Sequence, residues 1–199
     1  MIYVIDDDPS VRDSIQNLLE SVGLTAQTFA STHEFSRADH VEEPSCLILD
    51  VRLPGVSGLE FQTNLKKQDV SLPIIFITAH GDVPMTSRAM KAGAIEFLMK
   101  PFQKEELLAA VRHGLQRDET QRRNQAELAG LRSRFDQLTS REREVMELVA
   151  AGQTNKEIGA TLALSEVTVK IHRSHMMQKM QVTSVAELVR ISDKLQRAQ

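Results

Sequence analysis

Hydrophobic residues in the first hundred positions come in short runs, and the stretches between them repeat with helical spacing. The runs Ile2–Ile5, Leu24–Phe29, Cys46–Leu49, Ile74–Ile77 and Glu96–Met99 have strand length. Between them lie segments such as Val11, Ile15, Leu18 and Leu19, whose spacing puts an apolar stripe on one helix face. Strands alternating with helices predict an α/β domain built on a doubly wound parallel sheet of five strands. Near-continuous apolarity in the first, third and fourth runs fits strands covered on both faces. Thr25-Ala26-Gln27-Thr28 is polar enough for an edge.

After Phe102 the helix breakers nearly vanish. Lys104 to about Arg134 predicts a long helix that closes the first domain with Leu107, Leu108, Val111 and Leu115 and continues through Leu128, Leu131 and Phe135 as a partly solvated spacer. Asp118 to Gln125 interrupts its apolar spacing, so no dimerising coil is expected there. Four helical patterns follow, at Glu142–Ala151, Asn155–Leu162, Glu166–Met180 and Ser184–Leu195. Thr139 or Ser140 can cap the first of them, and Thr154 and Ser165 offer capping hydroxyls in the two short connections. A tight turn before the third pattern predicts a helix-turn-helix in an all-α, four-helix domain. The expected division is residues 1–116, a helical linker over 117–136, and residues 137–199; a chain of 199 residues suits two domains.

Charge separates the same two parts. Residues 1–103 carry 8 Lys and Arg against 14 Asp and Glu, whereas residues 137–199 carry 9 against 7, so the parts suit different partners. With no Trp and one Tyr, the chain lacks the aromatic platforms on which single-stranded nucleic acids stack. Cys46 is the sole cysteine, which excludes an intrachain disulfide and a cysteine-based zinc site; its apolar run predicts a buried thiol. No apolar stretch nears the roughly 20 residues of a membrane span, and the first strand begins at once instead of a cleavable leader. A cytoplasmic protein with no membrane partner is expected.

The candidate chemistry lies where the strands stop. Ligand sites of open α/β sheets lie outside the carboxyl ends of the strands, and here those ends are Asp6-Asp7-Asp8, Asp50, Thr78 and Lys100. Asp8 precedes Pro9 and a helix, which suits a cap. A carboxylate can attack a phosphoryl group only with a cation between the two anions, and Mg²⁺ prefers such oxygen ligands. An aspartate-nucleophile phosphatase is one reading of this set. It fits poorly, since those enzymes carry Asp-x-Asp and here Arg52 stands two residues after Asp50.

Ile5-Asp6-Asp7, Leu49-Asp50-Val51-Arg52-Leu53-Pro54-Gly55, Thr78-Ala79 and Lys100-Pro101-Phe102 resemble the receiver domain of two-component response regulators over about residues 2–116. The resemblance implies a flavodoxin-like strand order 2-1-3-4-5, Asp50 as phosphoacceptor, and Mg²⁺ on Asp6, Asp7, Asp50 and the backbone carbonyl of Arg52. It implies phosphoryl contacts from Thr78 and Lys100 and a cis peptide at Lys100-Pro101. Phe97 matches the position of an aromatic that swings inward on activation, and His80 would lie at the pocket rim. The loop Gly81–Met85 is similar to that of regulators of nitrogen fixation and aromatic catabolism.

Leu138–Val145, Thr154–Ile158 and Thr168–His172 resemble the LuxR-type helix-turn-helix of the NarL/FixJ regulators over about residues 137–192. The apolar residues Val167, Val169, Ile171, Met176, Met177 and Met180 of the third helix are expected to face its core, leaving Thr168, Lys170, Arg173 and Ser174 for DNA. The resemblance itself implies contacts from Lys170, Ile171, Arg173 and Ser174, although Ser174 stands where nitrate-regulator relatives have Lys. His172 is expected to pack inside, and Arg143 and Lys156 are candidates for phosphate contacts. Val185, Leu188, Val189 and Ile191 form the expected dimer surface, with Val185 where many relatives carry Arg. The implied function is transcriptional and not enzymatic. A sensor histidine kinase phosphorylates Asp50 in a Mg-dependent step, and the chain then forms a homodimer on double-stranded promoter DNA and activates transcription with RNA polymerase. A constitutive DNA-binding protein is the rival reading.

Overall fold

Alternation along each strand decides how the first unit is layered. The computed structural model describes residues 1–39, 41–68 and 70–197, and its contacts divide into units of residues 1–122 and 123–199. In the first unit β1 (Ile2–Ile5), β2 (Ala26–Phe29), β3 (Cys46–Asp50), β4 (Ile74–Thr78) and β5 (Glu96–Met99) pair in parallel in the order β2-β1-β3-β4-β5. Successive side chains point to opposite faces. Ile2, Val4, Ile48 and Ile75 therefore pack with Ile15 and Leu19 of α1 (Pro9–Ser21) and with Leu107 and Val111 of α5 (Lys104–Asp136). Tyr3, Ile5, Leu49 and Phe76 face α2 (Thr32–Arg37), α3 (Gly58–Lys67) and α4 (Val83–Lys91) through Phe35, Phe61 and Ala89. The strand order and the polar edge strand are as expected.

Two strands reach one residue further than their apolar runs. The Val51 N–H donates to Ile77 O (3.1 Å) and the Lys100 N–H to Thr78 O (2.7 Å), which keeps Asp50 and Thr78 inside the ladder. Cys46 is buried in the core and its thiol is pushed up to about 12 by burial. Asp118, which breaks the apolar spacing of the long helix, is buried and accepts the Ser45 N–H (2.9 Å) and Arg122 Nε (2.6 Å). That carboxylate ties α5 to the start of β3.

The second unit packs the end of α5 with α6 (Ser140–Ala150), α7 (Asn155–Leu162), α8 (Glu166–Met180) and α9 (Val185–Gln196). Leu131 is buried in this core, with Leu128 and Phe135 packed against it, so one face of the last turns of α5 is core wall while Ala129, Ser133 and Asp136 on the other stay exposed. Thr139 with Glu142, and Thr154 with Glu157, form reciprocal capping boxes on α6 and α7, and Ser165 caps α8. Such a cap stabilises by about 1 kcal/mol. Between α7 and α8 the chain reverses through Ala163 in the left-handed conformation (φ 56). Gly159 makes the turn possible, because a Cβ there would stand 2.8 Å from the Leu164 carbonyl oxygen. Among the described residues, no helix is long and apolar enough to cross a membrane.

Candidate functional site

Asp6 and Asp50 end neighbouring strands and are held alike. One oxygen of Asp6 accepts the Asp8 N–H (2.9 Å) and one oxygen of Asp50 accepts the Arg52 N–H (3.1 Å), each a turn closed two residues on. The second oxygen of each accepts from Lys100 Nζ, at 2.5 Å for Asp6 and 2.9 Å for Asp50. Asp6 is fully buried, Asp50 is 7% exposed and Asp7 is open to solvent. Asp8 stands apart as the cap of α1, accepting from the Ser10 N–H at 2.8 Å.

Burial pushes the Asp6 carboxyl up against the pull of Lys100. The same burial would lower the Lys100 ammonium, but Asp6 and Asp50 together hold it above its ordinary value. Oxygens of Asp6, Asp7 and Asp50 all lie within 4.8 Å of one another. Three carboxylates beside one ammonium, which reaches only Asp6 and Asp50, leave negative charge uncompensated, so the donor set suits a hard divalent cation.

The other predicted pocket residues are near but differently engaged. Thr78 is fully buried at the end of β4, and its hydroxyl contacts the backbone of His80 rather than Asp50 or Lys100, accepting that N–H at 3.3 Å. Phe97 is half-buried, tilted on Phe76 with ring centroids 6.2 Å apart. Its ring lies against Gly81, where a Cβ would come within 2.9 Å of it. Lys100-Pro101 is cis. Sequence reasoning missed two residues: Arg12, which donates to the Asp6 carbonyl at 2.6 Å, and Gly58. A Cβ on Gly58 would stand 2.3 Å from the Asp50 carbonyl oxygen. Its signal was a glycine at the first position of a helix that Ser57 and Glu60 already cap well.

On α8 the buried stripe is Val169, Met176 and Met180. Val167 and Ile171 flank Val169 at two residues, roughly 200° around a helix. They are exposed, at 69% and 50%, contrary to the inward face expected of them. With Lys170 and Ser174 they make one open stripe at the spacing of a helix face. Thr168 is half-buried with its hydroxyl 2.8 Å from that of Ser165, and Arg173 donates to Asn155 Oδ1 at 2.9 Å. Both are held by their own unit. Arg143 is likewise committed, donating to the Asp136 carbonyl (3.2 Å) and lying over the Phe135 ring, while Lys156 is exposed. Leu188 is fully buried in the core and leaves the expected dimer surface, and Val185 and Ile191 pack against that core.

The chain matches the response regulator receiver domain over residues 2–112 and the bacterial regulatory proteins of the luxR family over residues 136–192. The chain is a two-component response regulator. It is 50% identical to Nodulation protein W of Bradyrhizobium diazoefficiens, over 98% of this chain and 86% of that protein. To the response regulator protein TodT of Pseudomonas putida it is 42% identical over the same shares. The solved structure of the response regulator StyR superposes with a TM-score of 0.87 at 47% identity, covering 97% of this chain and 98% of that one. The regulator is thus of the NarL/FixJ type, with a DNA-binding domain, and is not an enzyme.

Helix α8 is braced by an ion pair whose carboxylate is buried. Lys179 Nζ on α8 donates to Glu142 on α6 at 2.7 Å. Burial pushes the Glu142 carboxyl up, but Lys179 and the Thr139 N–H and hydroxyl outweigh it and hold the group below the usual carboxylate range. A depressed folded pKa adds stability above the unfolded value, about 4.3, that is lost as pH falls through the folded value. Urea unfolding is therefore expected to place wild type about 1–2 kcal/mol above Glu142→Gln at pH 7. At pH 3 the gap should narrow; an unchanged gap would dismiss the charge as its source.

Proposed function

We propose that the regulator is switched by phosphorylation of Asp50, with a partner sensor histidine kinase as donor. Phosphorylation shifts the receiver and promotes a homodimer on double-stranded promoter DNA, which activates transcription through RNA polymerase in the cytoplasm. The supporting observation is the close set of Asp6, Asp7 and Asp50 oxygens beside an ammonium that already spans two of the carboxylates. Asp6, Asp7 and Asp50, with the Arg52 carbonyl, would hold Mg²⁺, which when bound supplies the positive charge that phosphoryl transfer to an anion needs.

The chain's own residues do the rest. Oxygen Oδ2 of Asp50 accepts from Lys100 now and leaves that partner when it takes the phosphoryl group, whose oxygens the ammonium then meets. Thr78 exchanges its bond to the His80 backbone for a phosphoryl oxygen, and Phe97 moves over Gly81 into the space released. On α8, Lys170, Ile171 and Ser174 face the major groove, with Thr168 and Arg173 fixed beside them. The DNA-binding part carries only 9 Lys and Arg against 7 Asp and Glu, so one copy makes few phosphate contacts and a second copy adds more.

Incubation with acetyl phosphate and Mg²⁺ should give acid-labile phosphate, a larger assembly and roughly tenfold tighter binding to DNA selected by the regulator, since about 1.4 kcal/mol of coupling suffices. Asp50→Asn should show none of these. Equal behaviour of the two proteins would dispose of the switch and favour constitutive binding.

A further inference from the structure

A cavity of about 330 Å³ opens at the amino-terminal end of β4, away from the acidic pocket, between α3, α4 and α5. Gln62, Lys66, Ser71, Gly93 and Arg117 line it. Gln62 is 5% exposed, and its side-chain nitrogen donates to the Ala89 carbonyl at 3.3 Å. That carbonyl can only accept, which fixes the orientation of the amide and leaves Oε1 as the other end. Oε1 is buried and has no hydrogen-bond partner among the described residues. An acceptor left in that state carries its full desolvation penalty.

The cations at the same cavity are also unanswered. Neither Lys66 nor Arg117 has an ion pair or hydrogen bond among the described residues. A buried water at Oε1 would satisfy the amide and leave the two cations as they are. A molecule joining an anionic group to an O–H or N–H donor satisfies both. We propose that this cavity is a binding site for a small hydroxy- or amino-carboxylate, with the carboxylate on Arg117 and Lys66 and the donor on Gln62 Oε1. Its volume lies at the small end of ligand sites, which suits a molecule of that size.

L-malate and succinate differ by one hydroxyl and make the test. Titrated into the full-length ¹⁵N-labelled regulator without Mg²⁺, malate should give saturable shifts of the Gln62 side-chain amide and the Gly93 N–H. Succinate should bind at least tenfold more weakly, and Arg117→Gln, an exposed position, should weaken malate about tenfold. Gln62→Leu should erase the preference for malate over succinate. The proposal is overturned if malate does not saturate at millimolar concentration, if both acids bind equally to wild type, or if the shifts centre on Lys100.

Discussion

Replacing Lys100 with Met is expected to lower the stability of the first unit by about 3 kcal/mol in Mg-free buffer. Asp6 is fully buried and Asp50 nearly so, and both give an oxygen to this one ammonium. Without it, two carboxylates face each other with no cation and Asp7 adds a third. Breaking a buried pair from one side leaves such charge uncompensated, which costs far more than the pair contributes when intact. A divalent cation at the three carboxylates offsets the same repulsion. Mg²⁺ at 100 times its dissociation constant would return about 2.7 kcal/mol, so the variant should become far more Mg-dependent than wild type. Urea unfolding with and without Mg²⁺ reads this directly; a loss that Mg²⁺ does not repair would point to packing of the lysine stem instead.

Gly58→Ala is also expected to be destabilising although no charge changes. The new Cβ would lie 2.3 Å from the Asp50 carbonyl oxygen and 3.2 Å from Leu49 Cγ, and the nearer atom is backbone. The first turn of α3 must move off β3, which strains the Gly58 N–H bond to Val51 O (3.0 Å). Overpacking of this kind costs about 1–3 kcal/mol. Alanine is the better helix former, so propensity alone predicts the opposite sign. Thermal unfolding decides between them, and phosphate incorporation from acetyl phosphate should fall along with stability because the displaced carbonyl belongs to Asp50. A stabilised variant would mean that α3 yields freely.

Much of this was legible because strands and helices have distinct periods. The runs ending at Asp6 and Asp50 could be read as strands covered on both faces from their near-continuous apolarity, and winding the sheet brings those ends together with Lys100 at the end of the edge strand β5. What was not legible depends on contacts across the chain. Asp118 looks like a break in an apolar pattern until Ser45, 73 residues away, supplies its N–H. Val167, Val169 and Ile171 alternate in a way that fits no helix face, and only the packing of Met176 and Met180 shows which of the three turns inward. Leu188 is not separable from a surface position by hydrophobicity alone, which does not distinguish a core side chain from an interface. Gly58 gave a weak signal because a glycine has no side chain from which to infer its neighbours.

The path of α5 bears on how the regulator can be cut for separate study. A fragment ending at residue 116 would discard Asp118, leaving the buried Ser45 N–H without its acceptor. One beginning at residue 137 would strip Leu128, Leu131 and Phe135 from the other core and lose the bond from Arg134 Nη1 to the Met180 carbonyl (3.1 Å) that closes α8. Cleavage between Arg122 and Arg123 spares both sets of contacts, so the serviceable seam lies inside a single uninterrupted helix.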